Sequence, residues 1–350
     1  MSGRIVSTSY ERHELPLEAA FTISRGTTET KTVVTVELTD REGRVGVGGA
    51  APSSYYGESA DSVERALPDL LDAVEEIGDP LAQQRIEAGL AQTAPDEAAA
   101  RAAVSVAVHD LATRQVDEPL YRRWGLDPER VPRTSYTIGI DSPDGMRDRA
   151  RRARERGYSV LKVKLGTDAD RARLEAVREG ASDARLRVDA NCAWTPEEAV
   201  ENTRWLREFD VEFLEQPVPA DDLGGLRHVT EAGDVPVAAD ESCVTAGDVP
   251  KVTDAVDIVV VKLMKCGGLR PALAQILTAD AHGLDVMLGC MTESNASIAG
   301  ACQLAPLVEY ADLDGALLLA SDVYRGVEMP DGRIDLGSVD AGTGARKVAQ

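Results

Sequence analysis

From about residue 134 onward, short β-rich apolar runs recur roughly every 25 residues, at 135–140, 160–164, 186–188, 211–214, 237–239, 258–261, 286–288 and 316–319. Polar, helix-like stretches separate most of them, at 143–156, 168–179, 196–208 and 271–282. Strand–helix alternation implies a parallel sheet covered by helices, and eight such units are what closes a (β/α)8 barrel. An open doubly wound sheet would want a glycine-rich phosphate turn after its first strand, and none is present. Ahead of the repeat, 4–11, 19–24 and 31–39 alternate apolar and polar residues, which predicts an antiparallel meander. Helical periodicity follows over 59–116, carried by Leu67, Leu70 and Val74 and then by Ala99, Ala103, Val106 and Leu111. Thr93-Ala94-Pro95-Asp96-Glu97 reads as the cap of the second of these helices.

In such a barrel the chemistry lies where strands end, so charges at those positions are functional candidates. The chain has seven lysines, and four fall in two clusters, Lys162/Lys164 and Lys262/Lys265. Lysine pKa values shift readily on burial, so lysine, unlike arginine, can serve as a base. Lys162 and Lys164 are two apart and share a face of the second strand. Mutual repulsion and desolvation are expected to lower their pKa. Asp189, Glu215 and Asp240 end the third, fourth and fifth strands. Three acids converging on one point call for a cation, and all-oxygen ligands select Mg²⁺ first and Mn²⁺ second. Lys262 ends the sixth strand, across the barrel from Lys164, and Lys265 follows one turn later as a supporting charge. A carbon acid held between Lys164 and Lys262 would have a base on each face, with the metal stabilising the enediolate between them.

Composition narrows the partners. Sixty acidic against 38 basic residues give a net charge of −22, spread along the chain, which argues against nucleic acid. No apolar run approaches a membrane span and the N-terminus lacks a signal pattern, so no membrane partner and a cytoplasmic location are expected. The five cysteines, without paired spacing, read as free thiols. The lysine-poor, acid-rich balance suits a high-salt cytoplasm, although a GC-rich genome biases composition the same way.

Thr137, Lys162-Val163-Lys164, Asp189-Ala190-Asn191, Glu215-Gln216-Pro217, Asp240-Glu241-Ser242 and Lys262 with Lys265-Cys266-Gly267-Gly268 together resemble the muconate-lactonizing subgroup of the enolase superfamily. The resemblance covers the whole chain. It implies an α/β protein, a modified (β/α)8 barrel with an N-terminal α+β capping domain, divided as 1–125, 126–320, and a 321–350 segment returning to the capping domain. It further implies Lys164 and Lys262 as the acid/base pair and Asp189, Glu215 and Asp240 as Mg²⁺ ligands, with Asn191 and Glu241 behind them. Thr137, and Arg25 in a substrate-covering loop with Phe21, are implied to face the substrate. Asp312-Leu313-Asp314 is similar to the dipeptide-epimerase signature, whose two aspartates hold a free α-ammonium group; a solvated turn before the eighth strand is the bland alternative.

Ala-Glu epimerases of this subgroup place a cation on the seventh-strand loop. Asn295 stands there instead, so a neutral or different second residue is expected. The mandelate-racemase-like branch needs a histidine near 289–293 and the chain has none. The resemblance therefore implies a Mg²⁺-dependent epimerase that inverts the second Cα of an L,L-dipeptide, working as a homo-oligomer. The alternatives are an N-acylamino-acid racemase, an o-succinylbenzoate synthase or a muconate cycloisomerase, and, from another class, an inactive relative with a binding role.

Overall fold

The computed structural model describes residues 3–349. The N-terminal sheet is antiparallel in the order β1 (Ile5–Ile23), β2 (Gly26–Asp40), β3 (Val45–Ala50). The two pieces expected at 4–11 and 19–24 are one 19-residue strand. Pairing with β2 holds to Pro16 and lapses over 17–20, with a register shift between Pro16 and Phe21, but the backbone stays extended. An edge strand tolerates this because one side of its ladder is free. The β1–β2 turn therefore carries Phe21 to Arg25 at the tip of a long hairpin, where Ile23 pairs with Gly26.

Three helices back this sheet: α1 (Ala60–Ile77), α2 (Gln83–Thr93) and α3 (Ala98–Arg114). α2 escaped the sequence reading because Ile86 and Leu90 are its only buried residues. The cap expected at 93–97 is absent as a side-chain bond; the Glu58 carboxylate instead accepts from the Ala99 N–H at 3.0 Å. α3 is apolar around its circumference and buried throughout its middle turns, as a central helix should be. β3 lies so close to it that a Cβ at Gly48 would fall 1.9 Å from the Ala103 carbonyl oxygen.

The barrel strands are β4 (Tyr136–Ile138), β5 (Val160–Lys164), β6 (Arg185–Asp189), β7 (Val211–Glu215), β8 (Val237–Ala239), β9 (Ile258–Val261), β10 (Asp285–Gly289) and β11 (Tyr310–Asp312), each parallel to the next. A bridge from Thr134 to Ala311, with Ser135 N–H donating to the Ala311 carbonyl at 3.0 Å, joins the first strand to the last. After α4 (Leu120–Arg123), the outer helices include α5 (Pro143–Glu155), α6 (Asp170–Gly180), α7 (Pro196–Glu208) and α8 (Leu223–Ala232). The short α9 (Val249–Val252) and α10 (Leu263–Cys266), then α11 (Leu269–Ala281) and α12 (Asn295–Cys302), complete the set.

The eighth strand corrects the sequence expectation: 316–319 is a 3-10 turn over Gly315–Leu318, and the strand is Tyr310–Asp312. The leucine run was misleading because it packs against the capping sheet, where Leu319 bridges Leu17. Beneath the mouth, Phe213, Ala238, Ile258, Val260 and Met287 plug the barrel with Tyr310 against them. Arg187 is also buried there, 2.7 Å from Glu212 and between the rings of Phe213 and Tyr310.

The C-terminal segment forms β12 (Tyr324–Arg325) and β13 (Arg346–Lys347) and reaches the N-terminal sheet, with Tyr324 Oη donating to Glu37 at 2.6 Å and Lys347 Nζ at 2.9 Å. No helix among the described residues is long and apolar enough to cross a membrane. All five cysteines are free.

The charge excess has a measurable consequence. At about 1 M salt the screening length falls to roughly 3 Å, which relieves long-range repulsion while weakening only exposed pairs such as Arg171–Glu208. The melting temperature of this −22 chain is expected to rise from low salt to molar KCl. A flat thermal profile over that range would assign the composition to genome bias.

Candidate active site

Register brings the site together. Lys164 pairs with Asp189 and Asp189 with Glu215 across β5, β6 and β7, so the three lie in one layer at the barrel mouth. Asp240 directly follows β8 and Lys262 directly follows β9. β5 and β9 are four strands apart in a ring of eight, which sets Lys164 and Lys262 on opposite walls. Gly289, at the end of β10, leaves room for one of them: a Cβ there would stand 3.0 Å from Lys262 Cε.

One cavity of ≈ 180 Å³ is lined by Lys162, Lys164, Lys262, Asp240, Asn191, Glu241, Thr137, Asp312 and Asp314 from the barrel, and by Phe21, Arg25 and Lys31 from the capping hairpin. Lys164 Nζ donates to Asp189 Oδ2 at 2.5 Å, and Lys262 Nζ to Asp240 Oδ2 at 2.7 Å. Lys265 is fully enclosed and spends its protons on Asp240 Oδ1 and on the Asp240, Cys243 and Val260 carbonyls, at 2.6–3.0 Å, so it holds Asp240 in place. Lys162 reaches Asp312 at 2.8 Å, Glu215 at 2.6 Å and Asp189 at 3.2 Å.

Those carboxylates reverse one sequence expectation. Burial does oppose charging of Lys162, but Asp312, Glu215 and Asp189 outweigh it and raise its pKa well above the usual lysine value. Lys262 is raised too, with Asp240 prevailing over burial and over repulsion from Lys162. Sequence neighbours crowd Lys162 with a cation, whereas the fold surrounds it with three acids.

The acids divide by partner. Asp189 and Asp240 are held well below the carboxylate range, since their lysines overcome the cost of burial. Glu215 is pushed up to about 8 by burial and by Asp189. Lys162 approaches it closely, yet neither Glu215 oxygen has a partner in hydrogen-bond geometry. As they stand, no three His, Cys, Asp or Glu side chains among the described residues are grouped to hold a metal ion, because lysines lie between the acids. The chemistry of the donor set nevertheless fits a hard divalent cation: buried oxygens only, unbonded ones on Glu215, and mutual repulsion that a cation would relieve.

The supporting residues fall into two groups. Asn191 N–H donates to Asp189 Oδ1 at 2.8 Å from a left-handed backbone (φ 47). Arg25, from the hairpin tip, pairs with Glu241 at 2.8 Å, donates to the Asn191 carbonyl at 3.1 Å and stacks on Tyr55. On the opposite side, the first strand grips the Asp312/Asp314 pair. Thr137 N–H and Oγ donate to Asp314 at 2.6 and 3.2 Å, and Ser135 Oγ donates to Asp312. Ser135 was missed in the sequence, although it stands two residues before Thr137 on the same face. Asp314 is pushed up to about 7 by burial and by Asp312. Asn295 does not line the cavity; its amide donates to Asp322 at 3.0 Å and to the Tyr324 carbonyl at 3.3 Å. Lys31, Ser53 and Tyr56 also line the cavity without any local motif to announce them.

Known proteins resemble this chain over nearly its whole length. The profile for the mandelate racemase/muconate lactonizing enzyme N-terminal domain matches residues 6–125, and that for the enolase C-terminal domain-like family matches 145–346. The L-Ala-D/L-Glu epimerase of Bacteroides thetaiotaomicron is 38% identical over 99% of this chain and 89% of its own length. A dipeptide epimerase from Enterococcus faecalis, solved with Mg and L-Leu-L-Tyr, superposes with a TM-score of 0.92 at 34% identity, over 98% of this chain and 99% of that one. One from Methylococcus capsulatus, solved with Mg and L-Arg-D-Lys, gives 0.91 at 34% identity over the same shares.

Proposed function

The chain belongs to the mandelate racemase/muconate lactonizing enzyme family of the enolase superfamily and is an isomerase of the epimerase type, and on that footing we propose that it inverts the Cα of the second residue of an L,L-dipeptide by 1,1-proton transfer between Lys164 and Lys262. The observation that carries this reading is the placement of those two lysines on opposite walls of a single cavity that also contains the Asp312/Asp314 pair.

Each residue then has a task. Asp314, costly to ionise where it lies, gains a counter-charge from the substrate's α-ammonium group, with Thr137 fixing its orientation. Ser135 and Lys162 hold Asp312 beside it. Asp189, Glu215 and Asp240 would hold Mg²⁺. When bound, that cation would take up the charge of these acids and of the substrate carboxylate, which both eases deprotonation of the lysines and lowers the cost of removing the Cα proton. One lysine removes the proton from its face of Cα, and the other delivers one to the opposite face. The plugged barrel below and the capping hairpin above keep water from competing for the carbanion.

Recognition of a free ammonium group gives a direct test. N-acetylation removes the charge and deprives Asp314 of its counter-charge, so kcat/KM for an N-acetyl dipeptide is expected to fall at least about 100-fold, with each charged hydrogen bond worth roughly 1.5–3 kcal/mol. Faster turnover of N-acylated amino acids than of free dipeptides would replace this reading with an N-acylamino-acid racemase.

A further inference from the structure

Cation partners single out one residue. Six of the seven lysines stand within salt-bridge distance of a carboxylate: Lys162, Lys164, Lys251, Lys262, Lys265 and Lys347. Lys31 alone, among the described residues, does not, in a chain where acids outnumber bases 60 to 38. It rises from β2 of the capping sheet into the cavity, and its Nζ makes one hydrogen bond, to the Pro52 carbonyl at 2.7 Å. The two carboxylates whose fields reach it are committed elsewhere. Glu293 accepts from Met291 N–H and Ser297 Oγ, and Glu58 accepts from Ala99 N–H. Burial lowers the Lys31 pKa, the sign of an ammonium short of counter-charge. The other capping cation in the cavity, Arg25, is already neutralised by Glu241.

The direction it faces follows from the reacting carbon. If Lys164 and Lys262 flank Cα on two sides, the carboxylate points down to the strand-end acids and the amide nitrogen points toward Asp312 and Asp314. The second residue's side chain then leaves the barrel toward the capping sheet, where Phe21, Ile23, Lys31 and Ser53 wait. We propose, resting on the epimerase reading above, that Lys31 is the specificity determinant of this subsite, and that its uncompensated ammonium selects dipeptides whose second residue carries a side-chain carboxylate. The cation missing from the seventh-strand loop is supplied from the capping sheet, which revises the expectation of a neutral second residue drawn from Asn295. Phe21 and Ile23 would pack along the methylene stem, and Lys31 would meet the carboxylate at its end.

The test compares L-Ala-L-Glu with its near-isostere L-Ala-L-Gln, read as α-deuterium incorporation in D2O with Mg²⁺ present. The wild-type enzyme is expected to favour the Glu dipeptide in kcat/KM by at least about tenfold, and Lys31→Met to reduce the Glu/Gln ratio by about 30- to 100-fold. Lys31→Arg should keep most of the preference, which separates loss of charge from loss of packing. A wild-type enzyme without preference for Glu, or a ratio unchanged in Lys31→Met, would overturn the assignment of Lys31 while leaving the epimerase reading intact. Absence of incorporation into any dipeptide by the wild-type enzyme would overturn both.

Discussion

Lys164→Ala and Lys262→Ala are each expected to reduce interconversion of the two dipeptide epimers by on the order of 10⁴-fold, the upper range for loss of a positioned acid or base. Epimerisation needs both a proton taken and a proton given on opposite faces, so neither lysine can stand in for the other. Lys→Arg at either position should be nearly as inactive, since it preserves the ion pair with Asp189 or Asp240 and removes only the ability to act as a base. The fold should persist in all four variants. Asp189 keeps Lys162 at 3.2 Å when Lys164 is lost, and Asp240 keeps Lys265 at 2.7 Å when Lys262 is lost. Comparing melting curves with kcat for these variants separates catalysis from stability. Epimerisation at wild-type rates by any of them would remove that lysine from the mechanism.

Metal removal is expected to have the next largest effect. Chelation, or Glu215→Gln, should lower kcat by several orders of magnitude, because the charge developing on the substrate carboxylate would lose its counter-ion. Glu215→Gln should, however, raise the stability of the metal-free protein at neutral and alkaline pH. In the metal-free protein Glu215 keeps its proton to about pH 8, whereas in the unfolded chain it ionises near the ordinary value of 4.5. The folded state thus binds more protons across that window, and the contribution of Glu215 to stability is lost as pH rises from about 4.5 to about 8. Glu215→Gln should flatten this fall, as denaturant melts at several pH values would show. Full activity in chelator, with metal shown to be absent, would contradict the ligand assignment.

Much of the barrel was legible because parallel strands buried on both faces appear as short apolar runs with charged residues at their ends; β5, β8 and β9 lie where their runs predicted. The last strand was not legible. Tyr310–Asp312 is three residues long and carries its chemistry in its final residue, while the leucines after it belong to the contact with Leu17. In the site, residues at strand ends could be read because periodicity and topology place them. Lys31 could not, since it reaches the cavity from a different domain; Ser135 shares a face with Thr137, but its partner Asp312 lies 177 positions away in sequence. The Lys162 pKa was misjudged for a related reason. Neighbours in sequence are cations, whereas neighbours in space, Asp312 and Glu215 among them, are acids.

The two-base claim is tested most directly by isotope exchange in the single-lysine variants. Each epimer of a dipeptide substrate is incubated separately in D2O with Mg²⁺ and Lys164→Ala or Lys262→Ala, and α-deuterium is read by mass spectrometry. With one base left, a variant can remove and return a proton only on its own face. Each variant should therefore label one epimer without inverting it, and the labelled epimer should switch between the two variants. Labelling of the same epimer by both, or labelling of both epimers by one, would contradict proton transfer between two lysines on opposite faces of Cα.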